Sequence, residues 1–208
     1  MRPLPRLHAV TDGGVLALED FAVRAAAIAA AGPAVALHAR DRSATGARLA
    51  AVTERLQALA RPPGAAVFVN ARADLALALD TQGLQLGHKD LTPADVRGAF
   101  GTRWHGWIGA SVHSMEEAAA AVDADFLIVG SIYPTPSHPD RAGSGIGLLR
   151  EIATLGRPVI AIGGITPLRA REACDAGAWG VATISAVWGS DDPYLAALAL
   201  LAPWAEAA

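Results

Sequence analysis

Apolar residues fall along this chain in two alternating patterns. Short runs rich in valine, isoleucine and leucine occur at 7–11, 34–38, 66–70, 83–86, 107–111, 126–129, 158–162 and 180–184. Between them lie longer alanine-rich stretches with charges at helical spacing, near 20–31, 44–60, 72–80, 92–100, 114–122, 145–155, 166–177 and 192–206. The first pattern predicts strands buried on both faces, the second helices with one apolar face. Local signals mark several helix ends. Thr92-Pro93 and Thr166-Pro167 read as N-caps followed by proline in the first turn. Ser114-Met115-Glu116-Glu117 reads as a capping box, and Gly177 as the glycine that ends the helix before it.

Eight strand–helix units in 208 residues leave about 26 residues per unit, close to the minimum for a strand, a helix and two short loops. Continuous apolar strands alternating with helices imply a parallel sheet covered by helices. An open doubly wound sheet would carry a Gly-x-Gly-x-x-Gly turn after its first strand, and Thr11-Asp12-Gly13-Gly14 does not supply one. The fold expected is therefore α/β, a single (β/α)₈ TIM barrel spanning residues 1–208 as one domain.

Composition narrows the class. The chain is 52% hydrophobic with a net charge of −3, so disorder is excluded and no general attraction to nucleic acid or an anionic membrane is expected. Any bound anion must be held by local groups. The lone Cys174 can form neither an internal disulfide nor a cysteine zinc site, and reads as a small buried side chain. The N-terminus lacks the apolar core of a signal peptide, and the apolar stretch 194–202 is about half a membrane span. A cytoplasmic protein is expected. Trp188, Tyr194 and Trp204 are expected to be exposed, where they would suit a homodimer interface or cap the barrel's open end.

In a barrel of this kind reacting groups sit at the C-terminal ends of strands, and phosphate is commonly held after strands seven and eight. Strand seven leads into Ile162-Gly163-Gly164-Ile165-Thr166-Pro167, where two glycines allow close backbone approach and a helix N-terminus follows. These glycines would also serve a plain tight connection. Thr183-Ile184-Ser185-Ala186 after strand eight could close the same pocket with amides and a hydroxyl, which favours phosphate. The other strand ends are polar: His38-Ala39-Arg40-Asp41-Arg42, Asn70-Ala71-Arg72, His88-Lys89-Asp90 and Ser111-Val112-His113. Arg40 is placed to meet carboxylate or phosphate oxygens, whereas Arg42 and Arg72 serve equally as solvated charges at helix starts. His113, directly after strand five, is a candidate proton carrier, with a structural role as the alternative. His8 reads as a barrel-floor histidine and His105 as a surface residue. The carboxylates nearest the mouth, Asp41 and Asp90, are isolated, which argues against a required metal.

From Leu7-His8-Ala9-Val10-Thr11-Asp12 to Ala182-Thr183-Ile184-Ser185 the chain resembles the thiamine-phosphate synthase / TenI superfamily of small barrels. The most specific pieces are Asn70-Ala71-Arg72-Ala73-Asp74, the run from Ser111 to Ala118, and Val159 to Pro167. The superfamily holds two main activities. The synthase joins a pyrimidine pyrophosphate to a thiazole phosphate with magnesium. The TenI-type tautomerase aromatises a carboxythiazole phosphate without metal, using a histidine after strand five as acid and base.

The chain departs from the synthase pattern at several positions. Ala71 stands where the synthase has a magnesium-binding aspartate, His38 where it has glutamine, and Pro134-Thr135-Pro136-Ser137-His138 where it has Pro-Thr-x-Thr-Lys. Asp90 and Thr135 match the synthase. The reading these departures favour is a TenI-like thiazole tautomerase, an isomerase without cofactor, acting on a small phosphorylated thiazole. In it the resemblance gives His113 the proton shuttle. Gly163, Gly164, Ile184 and Ser185 bind phosphate, Arg40 with His38 or Asn70 meets the carboxylate or ring edge, and Thr135 lines the site. The alternative is thiamine-phosphate synthase, with Mg²⁺ on Asp90; a third reading is a non-catalytic binder of a thiamine-related phosphate that regulates a partner.

Overall fold

The computed structural model describes residues 3–61, 64–135 and 142–206. Eight parallel strands pair in sequence order and close on themselves, β1 against β8. They are β1 Leu7–Val10, β2 Val35–Ala39, β3 Ala66–Asn70, β4 Gly83–Leu86, β5 Trp107–Val112, β6 Phe126–Gly130, β7 Val159–Ile162 and β8 Gly180–Thr183. The expected (β/α)₈ barrel is thus present.

Side chains alternate along each strand, which divides the core in two. Leu7, Ala9, Val35, Leu37, Val67 and Val69 face outward into a layer shared with the helices. Val10, Ala36, Phe68, Phe126, Ile128, Ile160 and Ala182 fill the barrel interior. Two aromatic rings fit in so narrow a space because glycines oppose them. Phe68 pairs with Gly83 and Phe126 with Gly109. A methyl on Gly83 would lie 2.4 Å from the Phe68 ring, and one on Gly109 would lie 2.2 Å from that of Phe126. Large residues against small ones fill the interior, as close packing demands.

The helices are α1 Gly13–Leu16, α2 Phe21–Ala29, α3 Gly46–Ala60, α4 Ala73–Ala78, α5 Pro93–Phe100, α6 Met115–Ala120, α7 Gly145–Ala153, α8 Pro167–Asp175, α9 Ser185–Trp188 and α10 Pro193–Glu206. Thr92 and Thr166 cap α5 and α8 ahead of proline, as the sequence indicates. Gly177 follows α8 at φ 92°. The expected capping box at Ser114 forms only in part: Ser114 Oγ accepts from the Glu117 amide, but the Glu117 carboxylate reaches past it to the amide of His113. The short helices α1 and α9 were not expected. Strand eight stops at Thr183, and Ile184 turns the chain into α9 at φ −103° and ψ −75°.

The C-terminal aromatics require a correction. Trp188 is 1% exposed and stacks on Phe21 at 5.5 Å between ring centroids. Trp204 is half-buried and donates its ring N–H to Ala178 O at 3.0 Å. Only Tyr194 of the three is exposed. Each tryptophan holds an apolar helix to its neighbours rather than facing solvent. Cys174 is half-buried, not fully buried, between α8 and α10 near the Pro203 carbonyl. Among the described residues no helix is long and apolar enough to cross a membrane.

Candidate active site at the strand C-terminal ends

The polar residues of the strand ends form a ring around one mouth of the barrel. Arg40 lies one residue beyond β2 and is half-buried. Its backbone is fixed from β1: Thr11 Oγ1 accepts from the Arg40 amide at 2.9 Å, and its hydroxyl lies 2.9 Å from the carbonyl oxygens of both His38 and Arg40. Burial lowers the guanidinium pKa, as does repulsion from Arg42, while Asp12 and Asp41 act in the opposite sense. No carboxylate of the described residues lies within ion-pairing distance of Arg40. A partly desolvated cation without a close counter-ion is suited to an anionic ligand.

Arg72 is differently placed. Its guanidinium grips Asp74, with Nε 2.8 Å from Oδ1, in an exposed pair beside the start of α3. That is the structural alternative foreseen for it. Ala71, between Asn70 and Arg72, is exposed and has a left-handed backbone, φ 66°.

Further round the ring, β7 and β8 bring the Gly163-Gly164 loop and the Ile184-Ser185 turn next to each other. Gly163 and Gly164 adopt φ 100° and 63°, and a methyl on Gly163 would lie 2.5 Å from Ser131 Cβ. Both glycines are therefore also required by the close approach of the loop after β6, whose Tyr133 amide donates to Gly163 O. Ile184 packs on the inner core, and Ser185 is exposed. Thr135 is half-buried. Pro136, Ser137 and His138 lie outside the described residues.

His113 follows β5 and is exposed. Its amide donates to Glu117 Oε2 at 2.7 Å, and its Nδ1 contacts the Gly130 carbonyl oxygen at the end of β6. A carbonyl only accepts, so Nδ1 is the donor in this contact and Nε2 is the ring nitrogen left for a ligand. Asp90 folds back on its own loop, Oδ2 accepting from the Gly87 amide at 2.6 Å. Among the described residues no group of three or more His, Cys, Asp or Glu is arranged to hold a metal.

His38 and Asn70 sit lower than the sequence suggests. His38 is fully buried, and its two ring nitrogens meet His8 at 2.8 Å and Asn70 at 2.9 Å. It therefore offers no free atom to a ligand. His8 is a buried interior histidine, as expected, and His105 is exposed. Two residues of this region escaped the sequence reading. Thr11 braces Arg40. Gln85, a register partner of Asn70, is 2% exposed and donates to Ser111 Oγ at 3.0 Å, while its Oε1 finds no partner among the described residues. The signal for Gln85 was one polar residue at an inward position of an apolar strand. Concavities of about 490 Å³ elsewhere, such as that between Leu4, Arg6, Trp107 and Trp179, lie at the opposite, N-terminal end of the barrel.

These features define a (β/α)₈ barrel whose polar groups gather at the C-terminal strand ends. Residues 7–187 match the family described as thiamine monophosphate synthase (TMP-TENI), and the chain belongs to that family. It is 39% identical to a thiamine-phosphate synthase of Roseiflexus sp. (strain RS-1), over 97% of this chain and 86% of the relative. It is 36% identical to the thiamine-phosphate synthase of Chloroflexus aurantiacus, over 95% and 91%. The solved thiamine phosphate pyrophosphorylase of Pyrococcus furiosus superposes with a TM-score of 0.80 at 34% identity, covering 97% of this chain and 96% of that one. These likenesses overturn the expectation of a TenI-like tautomerase, and with it the isomerase assignment. That expectation rested on a few departures such as Ala71 and His38, which weigh less than similarity to synthases along nearly the whole chain.

Proposed function

We propose that this protein is a thiamine-phosphate synthase, a transferase joining hydroxymethylpyrimidine pyrophosphate to a thiazole phosphate. The observation that carries the reading is the nearly full-length likeness to thiamine-phosphate synthases, with 39% identity to the Roseiflexus protein. The half-buried Arg40, without an ion-pair partner among the described residues and two strands from the β8 turn at the same mouth, supports it, because the reaction brings a pyrophosphate and a phosphate into one mouth.

In the reaction the carbon–oxygen bond to pyrophosphate breaks, the oxygen leaving with the electron pair, and the thiazole nitrogen's lone pair forms the new carbon–nitrogen bond. No proton has to be removed from the nucleophile. What the site must supply is alignment and stabilisation of the departing charge. The Arg40 guanidinium meets pyrophosphate oxygens. The backbone around Gly163, Gly164, Ile184 and Ser185 holds the thiazole's phosphate. Asn70 and Thr135 line the wall between them. His113 Nε2, free while Nδ1 is held at Gly130, offers the ligands a hydrogen bond rather than a proton shuttle.

The donor set fits magnesium only sparingly. Asp90 has one carboxylate oxygen engaged by Gly87 and can offer the other, whereas the Ala71 methyl can offer nothing. A magnesium ion held by one carboxylate, water and substrate phosphates is chemically ordinary. Bound there it would neutralise pyrophosphate charge.

The test is incubation of the purified chain with both substrates and magnesium. Thiamine phosphate and released pyrophosphate are expected in equal amounts, and EDTA should suppress them. Absence of thiamine phosphate at saturating substrates and magnesium would sink the proposal.

A further inference from the structure

Three side chains cross the barrel interior from floor to mouth. His8 Nε2 lies 3.2 Å from the Pro5 carbonyl oxygen, and His8 Nδ1 lies 2.8 Å from His38 Nε2. His38 Nδ1 lies 2.9 Å from the terminal amide atom of Asn70 designated Oδ1. Both imidazoles are fully buried, His8 packed against the rings of Phe68 and Phe126 and His38 against that of Phe68. The hydrogen-bonding partners of the two rings are a carbonyl, each other and an amide, with no carboxylate among them.

That composition dictates the proton order. The Pro5 carbonyl only accepts, so His8 carries its proton on Nε2 and presents a lone pair at Nδ1. His38 must then donate from Nε2, which leaves its Nδ1 as an acceptor as long as the ring is neutral. A cation here would be buried among aromatic rings with no counter-ion among the described residues and with Arg40 two residues along the chain, an expensive arrangement. Burial pushes His38 down to about 4 and His8 well below its ordinary value, which agrees with two neutral rings. The oxygen and nitrogen of an asparagine amide are interchangeable in shape, so the hydrogen count decides which one faces His38. It must be the NH₂.

We propose that His8 and His38 are positioning residues that turn the Asn70 amide so that its NH₂ is engaged by His38 and its carbonyl oxygen faces the mouth, there to accept a hydrogen bond from an N–H donor of the ligand. In so far as this rests on the synthase reading, the donor is the exocyclic amine of the aminopyrimidine. The mouth is then polarised. An acceptor stands at the end of β3 and a cation just beyond β2, so the pyrimidine lies with its amine toward Asn70 and its pyrophosphate toward Arg40.

Two measurements test this. The first needs no substrate: the full chain with ¹⁵N-labelled histidine rings is examined at neutral pH by long-range ¹H–¹⁵N correlation. Two buried, neutral histidines protonated at Nε2 are expected, the His38 signals being identified by their loss in His38→Gln. A His38 protonated at Nδ1, or at both nitrogens, overturns the proposal whatever the activity. The second compares His38→Gln with His38→Leu. A glutamine amide spans nearly the same distance as the two ring nitrogens; its NH₂ can serve His8 while its oxygen accepts from Asn70, so the order survives. Leucine fills the space but leaves Asn70 free to turn. His38→Gln should keep the KM for the pyrimidine pyrophosphate within about twofold, whereas His38→Leu should raise it about tenfold, with kcat and the KM for thiazole phosphate little changed. Equal effects of the two substitutions, or equal effects on both substrates, would mean that His38 merely fills space. If the protein made no thiamine phosphate while the rings showed the expected protonation, the synthase reading would fall and the oriented amide would stand.

Discussion

Thr11 and Arg40 are locked together across the first two strands. The Thr11 hydroxyl oxygen, fully buried, accepts from the Arg40 amide at 2.9 Å and shares its own proton between the His38 and Arg40 carbonyls. One small side chain thus satisfies the backbone at the point where β2 ends and the mouth begins. Thr11→Val keeps the shape and removes the oxygen, so a buried N–H loses its partner. A loss of about 1–3 kcal/mol in unfolding free energy is expected. Because Arg40 is then less well held, the KM for the pyrophosphate substrate should rise too. Urea titration and steady-state kinetics on the same preparation check both. Unchanged stability would show that water satisfies this turn equally well.

The barrel's interior packing is equally open to test. Gly83→Ala places a methyl 2.4 Å from the Phe68 ring, and both residues are fixed by strand register. Overpacking should cost about 1–3 kcal/mol or more. Phe68→Leu alone leaves a cavity and also destabilises. Together the two changes should cost less than their sum, because the smaller side chain makes room for the methyl. Additive costs in a double-mutant cycle would show that Phe68 relaxes away from the methyl without help.

Much of this architecture was legible from the order of residues. The strand bounds 66–70 and 83–86 are those observed, and 34–38 is displaced by one residue from Val35–Ala39. Continuous apolar runs and threonine–proline helix starts carry that information locally. The helices α1 and α9 did not, because four residues make barely one turn and show no periodicity. The site was legible as a set of strand ends but not as contacts. Alternation alone places His8, His38 and Asn70 inward, yet their meeting depends on how far each strand is staggered in the closed barrel. That stagger is a property of the whole sheet. The activity is not legible from single positions for a related reason: departures such as Ala71 and His38 carry less information than similarity to synthases along nearly the whole chain.

Acid should weaken this fold in a defined window. His38 has a pKa of about 4 in the folded chain against an ordinary 6.5, because burial disfavours its charged form. The unfolded chain therefore binds more protons, and stability falls as pH drops from 6.5 toward 4. Between pH 7 and pH 5 the loss from His38 alone is about 2 kcal/mol. His8, shifted the same way by burial and by His38, adds to it. The unfolding free energy of His38→Leu should depend less on pH over this interval. Parallel urea midpoints at the two pH values in both proteins would contradict the buried, neutral pair.

Ala71 joins backbone strain to the question of metal. Its φ of 66° lies in the region that alanine adopts at a cost and that glycine, asparagine and aspartate tolerate better. Ala71→Gly should therefore stabilise the protein by up to about 1 kcal/mol, with little effect on catalysis at saturating magnesium. Ala71→Asp relieves part of the same strain and also sets a carboxylate at the mouth, on the strand next to β4 and the Asp90 loop. If magnesium assists the reaction from Asp90 alone, the second carboxylate should lower the magnesium concentration for half-maximal rate about tenfold, equivalent to about 1.4 kcal/mol of binding. The comparison with Ala71→Gly separates the two contributions, since glycine changes the backbone without adding a ligand. A magnesium dependence identical in all three proteins would place the ion away from β3 and leave Arg40 as the principal counter-charge to the pyrophosphate.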